Sequence, residues 1–216
     1  MTKPHLGGHY DSSTMPITTF DFIVSKFNIK SAIDIGCGPG GMTRYGNYKG
    51  IPMIGIDGDT DIPAQNYIIF HDYTEGPVAV ENKFDLAWST EFLEHVYADF
   101  IPNFLHTFQK AKYVFCSAAP PGQGGHHHVN EQPLEYWYEI FDQYGFDHDF
   151  ETMEQIRSTS DDKMIVRNGM FFVNRTEVEA SVFPTFTVDF NQIRHDVNFY
   201  YDCCGEAVVK YTRWPE

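Results

Sequence analysis

The chain has 216 residues, enough for one large domain with a proper core and too few for two independent ones. Thirty acidic against fifteen basic residues leave a formal charge of −15, and the scattered Lys and Arg form no basic face, so nucleic acid and anionic membranes are excluded as general partners. No apolar stretch approaches the roughly 20 residues of a membrane span, the first residues MTKPHLGGHYDSS lack an apolar signal core, and Cys37, Cys116, Cys203 and Cys204 have no C-x-x-C spacing, so a cytoplasmic protein without a structural zinc site is expected.

Taken from the N-terminus, Ile17, Phe20, Ile23, Val24 and Phe27 recur at helical spacing and predict a helix over residues 16–27. A short strand at 31–36 runs into a glycine-rich turn and a helix over 41–48. A second strand, 52–57, is an apolar run closed by Asp57-Gly58-Asp59. A third, 67–70, ends in His71-Asp72-Tyr73, and a fourth, 84–89, ends in Thr90-Glu91. Trp88, at the end of that fourth strand, is the aromatic side chain expected to touch a ligand; the others read as core.

Phe100, Ile101, Phe104, Leu105 and Phe108 make a helical stripe, followed by a strand at 113–118 that stops at Pro120-Pro121-Gly122. Leu134, Trp137, Tyr138, Phe141 and Tyr144 form another stripe, with Gly145 as its C-terminal cap. A polar helical stretch over 152–167 and a strand at 170–175 follow. Beyond it, "TFTVDF" (185–190) and "EAVVKYTR" (206–213) are strand candidates. Alternating strands and helices predict an α/β protein: a doubly wound, mostly parallel sheet covered on both faces, with a C-terminal β-rich extension. The expected division is an N-terminal helix and cap segment (1–30), a ligand-binding core (31–175) and the extension (176–216).

Gly36-Cys37-Gly38-Pro39-Gly40-Gly41 satisfies the dinucleotide pattern G-x-G-x-x-G, and Asp57 stands about 20 residues beyond Gly36, where an acid binds ribose hydroxyls. Both features suit NAD and S-adenosylmethionine alike. Asp34 separates them: a carboxylate at the end of the first strand repels a pyrophosphate and attracts a ligand carrying an ammonium and a sulfonium.

The four strings DIGCGPGG (34–41), IDGD (56–59), HDY (71–73) and FDLAWSTEFLEHV (84–96), in this order, resemble the class I S-adenosylmethionine-dependent methyltransferases over roughly residues 31–175. The resemblance implies a Rossmann-like methyltransferase fold with S-adenosyl-L-methionine as cofactor. It implies that the turn of Gly36, Cys37, Gly38 and Gly40 admits the methionine part, that Asp34 anchors its amino group, and that Asp57 with Gly58 holds the ribose. Asp72 would accept from the adenine amine, Tyr73 would pack on the ring, and Ser89, Thr90 and Glu91 would line the methionyl side.

Methyl transfer asks mainly for in-line placement, while a hydroxyl acceptor gains from a base, for which histidine is suited at neutral pH. Candidates are His95, in "LEHV", and His127 and His128, in the glycine-hinged loop "PPGQGGHHHVNEQP" (120–133) that leaves the fifth strand. Glu94 reads either as a further base candidate or as an acid facing water at a helix start, and Asn130 as a cap for the following helix. Adjacent histidines cannot all point one way, so the triplet His126-His127-His128 is poor geometry for chelation; no metal is expected, and one would need outside ligands such as Asp or Glu. Near the N-terminus, "GGHYD" (7–11) offers a glycine-hinged histidine that could fold over a ligand. The expected activity is methylation of an oxygen, with nitrogen second, on a small molecule or sugar. The alternatives are an NAD-dependent oxidoreductase, disfavoured by Asp34 and by the lack of a clear second substrate domain, and a non-catalytic module that binds the adenosyl ligand.

Overall fold

In the computed structural model, which describes residues 3–9, 13–182 and 186, the short apolar runs pair into one sheet of seven strands. These are β1 (Ala32–Ile35), β2 (Met53–Asp57), β3 (Ile68–Phe70), β4 (Phe84–Ser89), β5 (Ala111–Ser117), β6 (Phe146–His148) and β7 (Gly169–Asn174), in the order β3-β2-β1-β4-β5-β7-β6. β7 alone reverses direction, pairing antiparallel with both β5 and β6. That inserted strand departs from the dinucleotide-fold order 3-2-1-4-5-6.

Among the described residues, six α-helices cover the sheet: α1 (Ile17–Phe27), α2 (Gly41–Tyr48), α3 (Ile101–Phe108), α4 (Leu134–Gln143), α5 (Phe150–Thr159) and α6 (Lys163–Asn168). Strand alternation sorts the core into two layers. Ile33 and Ile35 of β1, Val114 and Cys116 of β5, and Met170 and Phe172 of β7 pack with α3 and α4 through Phe104, Phe108, Trp137 and Phe141. Ala32, Phe115 and Phe171, one residue out of phase, pack with α1, α2, α5 and α6 through Phe20, Met42, Met153 and Ile165. Each large apolar side chain buried this way contributes roughly 1.5–3 kcal/mol before the entropy of ordering it is subtracted.

Trp88 belongs to the second layer. It shares the phase of Leu86 and meets the rings of Phe20 at 5.3 Å and Phe115 at 4.6 Å. The expectation that it touches a ligand is corrected by that parity, which aims it into the core.

The expected single helix over 152–167 is two. Asp162 interrupts it, its carboxylate accepting from the Met164 amide at 2.9 Å and the Ile165 amide at 3.2 Å, and so starts α6 afresh. β6 is a further strand that the helical stripe before it conceals. Gly145 follows the α4 cap residue Tyr144 with φ 93°, the left-handed position that ends helices. Of the C-terminal strand candidates, 206–213 and all of 185–190 except Phe186 lie outside the described residues.

Candidate functional site

The order of strands reverses between β1 and β4, and ligands of open α/β sheets sit at the carboxyl ends of strands beside such a reversal. A cavity of ≈ 550 Å³ lies there, within the size range of small-molecule sites. Its floor is the glycine turn after β1, with Asp34, Gly36, Cys37 and Gly38; Asp57 and Gly58 follow from β2, and Asp72 and Tyr73 from the β3 end. Thr90, Glu91, Phe92 and His95, beyond β4, close the other side.

Gly36 must be glycine on two counts. Its φ is 74°, and a Cβ there would stand 2.4 Å from the Phe92 ring. The turn is braced from β2: Asp57 Oδ2 accepts from the Gly38 amide at 2.7 Å and Asp57 Oδ1 from the Asp59 amide at 2.8 Å. Asp34, buried at the end of β1, accepts from Thr43 Oγ1 of α2 at 2.8 Å. Burial pushes its carboxyl up to about 7 against that hydrogen bond, with the Asp57 charge adding to the rise. Burial also raises Asp57 above the usual carboxylate range. Two reluctant carboxylates on one wall create a place where a cationic ligand is favoured.

The N-terminal segment forms a roof. His5, Leu6, Gly7, Gly8 and His9 all line the cavity, as the glycine-hinged reading of this segment anticipates; Tyr10 and Asp11 lie outside the described residues. Lys3 Nζ bonds Asp72 Oδ2 at 2.7 Å, His5 Nε2 meets the same oxygen at 2.9 Å, and His9 Nε2 meets Asp59 Oδ2 at 3.0 Å. The lack of a side chain at Gly58 makes room for Leu6, whose Cδ2 would be 2.6 Å from a Cβ there.

This roof changes the role of Asp72. Its Oδ1 accepts from the amide and hydroxyl of Thr74 while Oδ2 takes Lys3 and His5. Burial would raise its carboxyl, yet those four donors outweigh it and hold Asp72 well below the usual range. It lines the cavity and at the same time clamps the N-terminal segment. Tyr73 is also more structural than expected: its hydroxyl donates to Thr107 Oγ1 at 3.0 Å, and its ring packs edge-on against His71, Phe92 and Phe104.

Two expected lining residues do not reach the cavity. Gly40 is the left-handed residue that starts α2, and a Cβ there would meet Ile68 Cδ1 at 2.9 Å. Ser89 is buried, its hydroxyl donating to the Ile35 carbonyl at 2.8 Å and so tying the ends of β4 and β1 together. Of the expected trio Ser89, Thr90 and Glu91, Thr90 and Glu91 line the wall.

Beyond β4 the chain turns sharply. Glu91 takes φ 53°, uncommon for a side chain of its kind, and is held by Ser117 Oγ and Gln123 Nε2. Glu94 and His95 follow in a 3-10 turn, Leu93–His95. Of the two expected settings of Glu94, the water-facing one is removed: it is 0% exposed, and neither carboxylate oxygen has a hydrogen-bond partner among the described residues. Burial and then the Glu91 charge push it well above the usual range. His95 is driven down to about 4, by burial first and by His128 next, so its imidazole is neutral at physiological pH.

The three histidines of the 120–133 loop diverge. His126 Nε2 lies 3.3 Å from the Leu6 carbonyl, His127 sets its ring against Tyr97 at 5.5 Å and His5 at 6.1 Å, and His128 turns inward to meet the His95 ring edge-on at 4.8 Å. Neither His127 nor His128 lines the cavity, though each touches a residue that does. Asn130 does not cap α4, whose cap residue is Pro133; it is buried, and its backbone N–H donates to the Glu94 carbonyl at 3.0 Å. The sequence reading missed the role of Lys3 and the burial of Glu94. The signal for the latter is the spacing Glu91-x-x-Glu94-His95, which puts two acids and a histidine on one tight turn.

Solved methyltransferases share this architecture. The chain is similar to a TehB-like SAM-dependent methyltransferase from Corynebacterium glutamicum, at 15% identity over 73% of this chain and 88% of that one, with a TM-score of 0.54. It is similar to the methyltransferase domain of bacterial CtHen1, at 15% identity, 73% and 96% coverage and a TM-score of 0.52. A third is the plantazolicin methyltransferase BamL in complex with a triazolic desmethylPZN analog and SAH, at 13% identity, 74% and 84% coverage and a TM-score of 0.52. The fold is thus the Rossmann-like methyltransferase fold. No protein-family model and no curated protein matches the chain.

Proposed function

We propose that this protein is an S-adenosylmethionine-dependent methyltransferase acting on an oxygen, with nitrogen second, of a small molecule or sugar. The observation that carries the reading is the placement of Asp34 and Asp57 on one cavity wall beside the glycine turn. An anionic pyrophosphate would meet two carboxylates there, whereas the ammonium and sulfonium of S-adenosylmethionine would be attracted by them. The BamL complex, in which the same fold holds SAH, supports the choice of ligand.

In this reading Asp34 takes the amino group of the methionine part and Asp57 the ribose, with Gly36 and Gly38 letting the backbone come close. Lys3, His5 and His9 keep the N-terminal roof on the cavity and exclude water. An oxygen lone pair of the acceptor forms the new O–CH3 bond as the S–CH3 bond breaks. The electron pair of that bond stays on sulfur, and the hydroxyl proton leaves the acceptor oxygen for solvent. His95, on the wall and neutral, and Glu91 are the groups positioned to hydrogen-bond the acceptor. Residues 31–175 are the catalytic core, with the preceding segment as its cap and a cytoplasmic setting that suits the buried free thiols of Cys37 and Cys116. No helix among the described residues is long and apolar enough to cross a membrane.

Calorimetric titration with S-adenosylhomocysteine and, separately, with NAD tests the assignment. Saturable binding of the first alone is expected, followed by transfer of a labelled methyl group to a hydroxylated acceptor. Binding of NAD alone would replace this reading with hydride transfer.

A further inference from the structure

One ligand atom each from Glu94, His95 and His128 lies within 4.8 Å of the other two. We propose that these three side chains form a binding site for a divalent first-row transition cation on the wall of the cavity. Ligand atoms around a four-coordinate ion stand roughly 3.4 Å apart, given bonds of about 2.1 Å, so a modest rotation of the two rings brings the set to coordinating distance.

Glu94 is the strongest pointer. A carboxylate that is fully buried with both oxygens unpartnered is expensive unless a counter-charge is supplied. Among the described residues no lysine or arginine bonds to it, and Glu91 and Glu131 add charge of the same sign. A cation between Glu94 and two imidazoles resolves the cost. The three groups also leave an ion at least one open position, as sites that act on substrates do.

His128 is oriented for the task. Its Nδ1 is 2.9 Å from Glu131 Oε1, an arrangement that fixes the ring and leaves Nε2 as the donor to a metal. Glu131 in turn accepts from the amides of Gly122 at 2.7 Å and Gly124 at 2.5 Å, so the glycine loop is wrapped around the carboxylate that holds the histidine. The loop is pinned to the 3-10 turn by the Val129 and Asn130 amides, both of which donate to the Glu94 carbonyl at 3.0 Å. Ligands far apart in sequence are thereby fixed to one another before any ion arrives.

Two imidazoles and one carboxylate suit Mn²⁺, Co²⁺ or Zn²⁺ better than the all-oxygen preferences of Mg²⁺ and Ca²⁺. His95 lines the cavity, so the open position faces the acceptor side. The role that follows rests on the methyltransferase reading: an acceptor hydroxyl bound to the ion becomes more acidic, loses its proton to solvent and presents an oxygen nucleophile to the methyl group. The cation site itself stands on the side-chain geometry alone.

The test is calorimetric titration of untagged, chelator-stripped protein with Mn²⁺, Co²⁺, Zn²⁺, Mg²⁺ and Ca²⁺ in turn, with no S-adenosyl compound present. One equivalent of at least one of the first three is expected to bind, at least 10-fold more tightly than Mg²⁺ or Ca²⁺. Glu94→Gln, which keeps the shape of the side chain, and His128→Ala should each weaken binding by 10-fold or more, while His106→Ala, exposed on α3, should leave it unchanged. Bound Co²⁺ should show visible absorption that Glu94→Gln abolishes. The proposal is overturned if folded wild-type protein takes up none of the three ions, or if Glu94→Gln binds them as wild type does. A parallel titration of stripped protein with S-adenosylhomocysteine separates the two readings: its success beside a failed cation titration removes only the cation site, and the reverse removes only the methyltransferase assignment.

Discussion

Thr43 Oγ1, in the first turn of α2, donates to Asp34 Oδ2 at the end of β1 across 2.8 Å of buried interior. The bond favours the ionised carboxylate, burial opposes it, and burial wins, which leaves Asp34 titrating at about 7. Because that value lies above the ordinary one of 3.8, the folded protein holds this proton more tightly than the unfolded chain. The contribution of Asp34 to stability therefore falls as pH rises from about 4 to 7.

A cationic ligand needs the ionised form, so affinity for S-adenosylmethionine should rise between pH 6 and pH 8, with release of a proton on binding at pH 6. Asp34→Asn should abolish that dependence and weaken S-adenosylmethionine by 10-fold or more. It should also raise the melting temperature more at pH 8 than at pH 5, where wild-type Asp34 is already neutral. Calorimetry in buffers of different ionisation enthalpy reads the proton, and thermal melts at both pH values read the stability.

Gly36→Ala tests the turn. The added Cβ would stand 2.4 Å from the Phe92 ring in a backbone with φ 74°, and strain of this kind costs roughly 1–3 kcal/mol. For a chain of this size that corresponds to a loss of about 2–12 °C in melting temperature. Displacement of Phe92, which lines the cavity, should in addition weaken S-adenosylhomocysteine, as measured by titration of protein still folded at 15 °C.

The Asp72 clamp should be separable from the core. Asp72→Asn removes the anion that holds Lys3 and His5. Amide hydrogen exchange at residues 3–9 should accelerate while that of β1 and β4 is unchanged. Since its folded-state value is depressed, the stabilisation Asp72 provides is present above about pH 4, the unfolded value, and is lost as pH falls toward the folded one. Lys3 is 46% exposed, so added salt should weaken the clamp, with a global effect below about 1 kcal/mol.

What the sequence discloses and what it hides divide along physical lines. β1, β2, β4 and β5 announce themselves as apolar runs closed by glycine, acid or proline, and α2 follows its glycine turn without ambiguity. β6 is only Phe146–His148, too short for an alternation to register behind the α4 stripe. The reversal of β7 is a matter of pairing and leaves no mark in its own composition. In the site, the placement of Asp34, Gly36, Gly38 and Asp57 on the cavity is legible because each stands at the end of a strand that its own apolar run announces. The clamp at Asp72 is hidden because its partners, Lys3 and His5, stand 69 and 67 residues away. The burial of Glu94 is obscured because a 3-10 turn has no lasting periodicity, which leaves the spacing Glu91-x-x-Glu94-His95 as its one mark in the sequence.

Trp88 offers a test of that division. At the end of a strand beside the cavity its indole looks like a ligand contact, yet the alternation of β4 sends it into the layer of α1, α2 and α5, against Phe20 and Phe115. Its Nε1 has no hydrogen-bond partner among the described residues. Trp88→Phe gives up part of the packed indole but also removes that buried, unsatisfied donor, so the net cost should be about 1–2 kcal/mol, below the roughly 3–5 kcal/mol of a full truncation to Ala. Affinity for S-adenosylhomocysteine should stay within about twofold of wild type, because the indole is buried against Phe20 and Phe115 and does not line the cavity. Chemical denaturation gives the stability difference and titration gives the affinity; a tenfold loss of affinity at unchanged stability would place the indole in the ligand site after all.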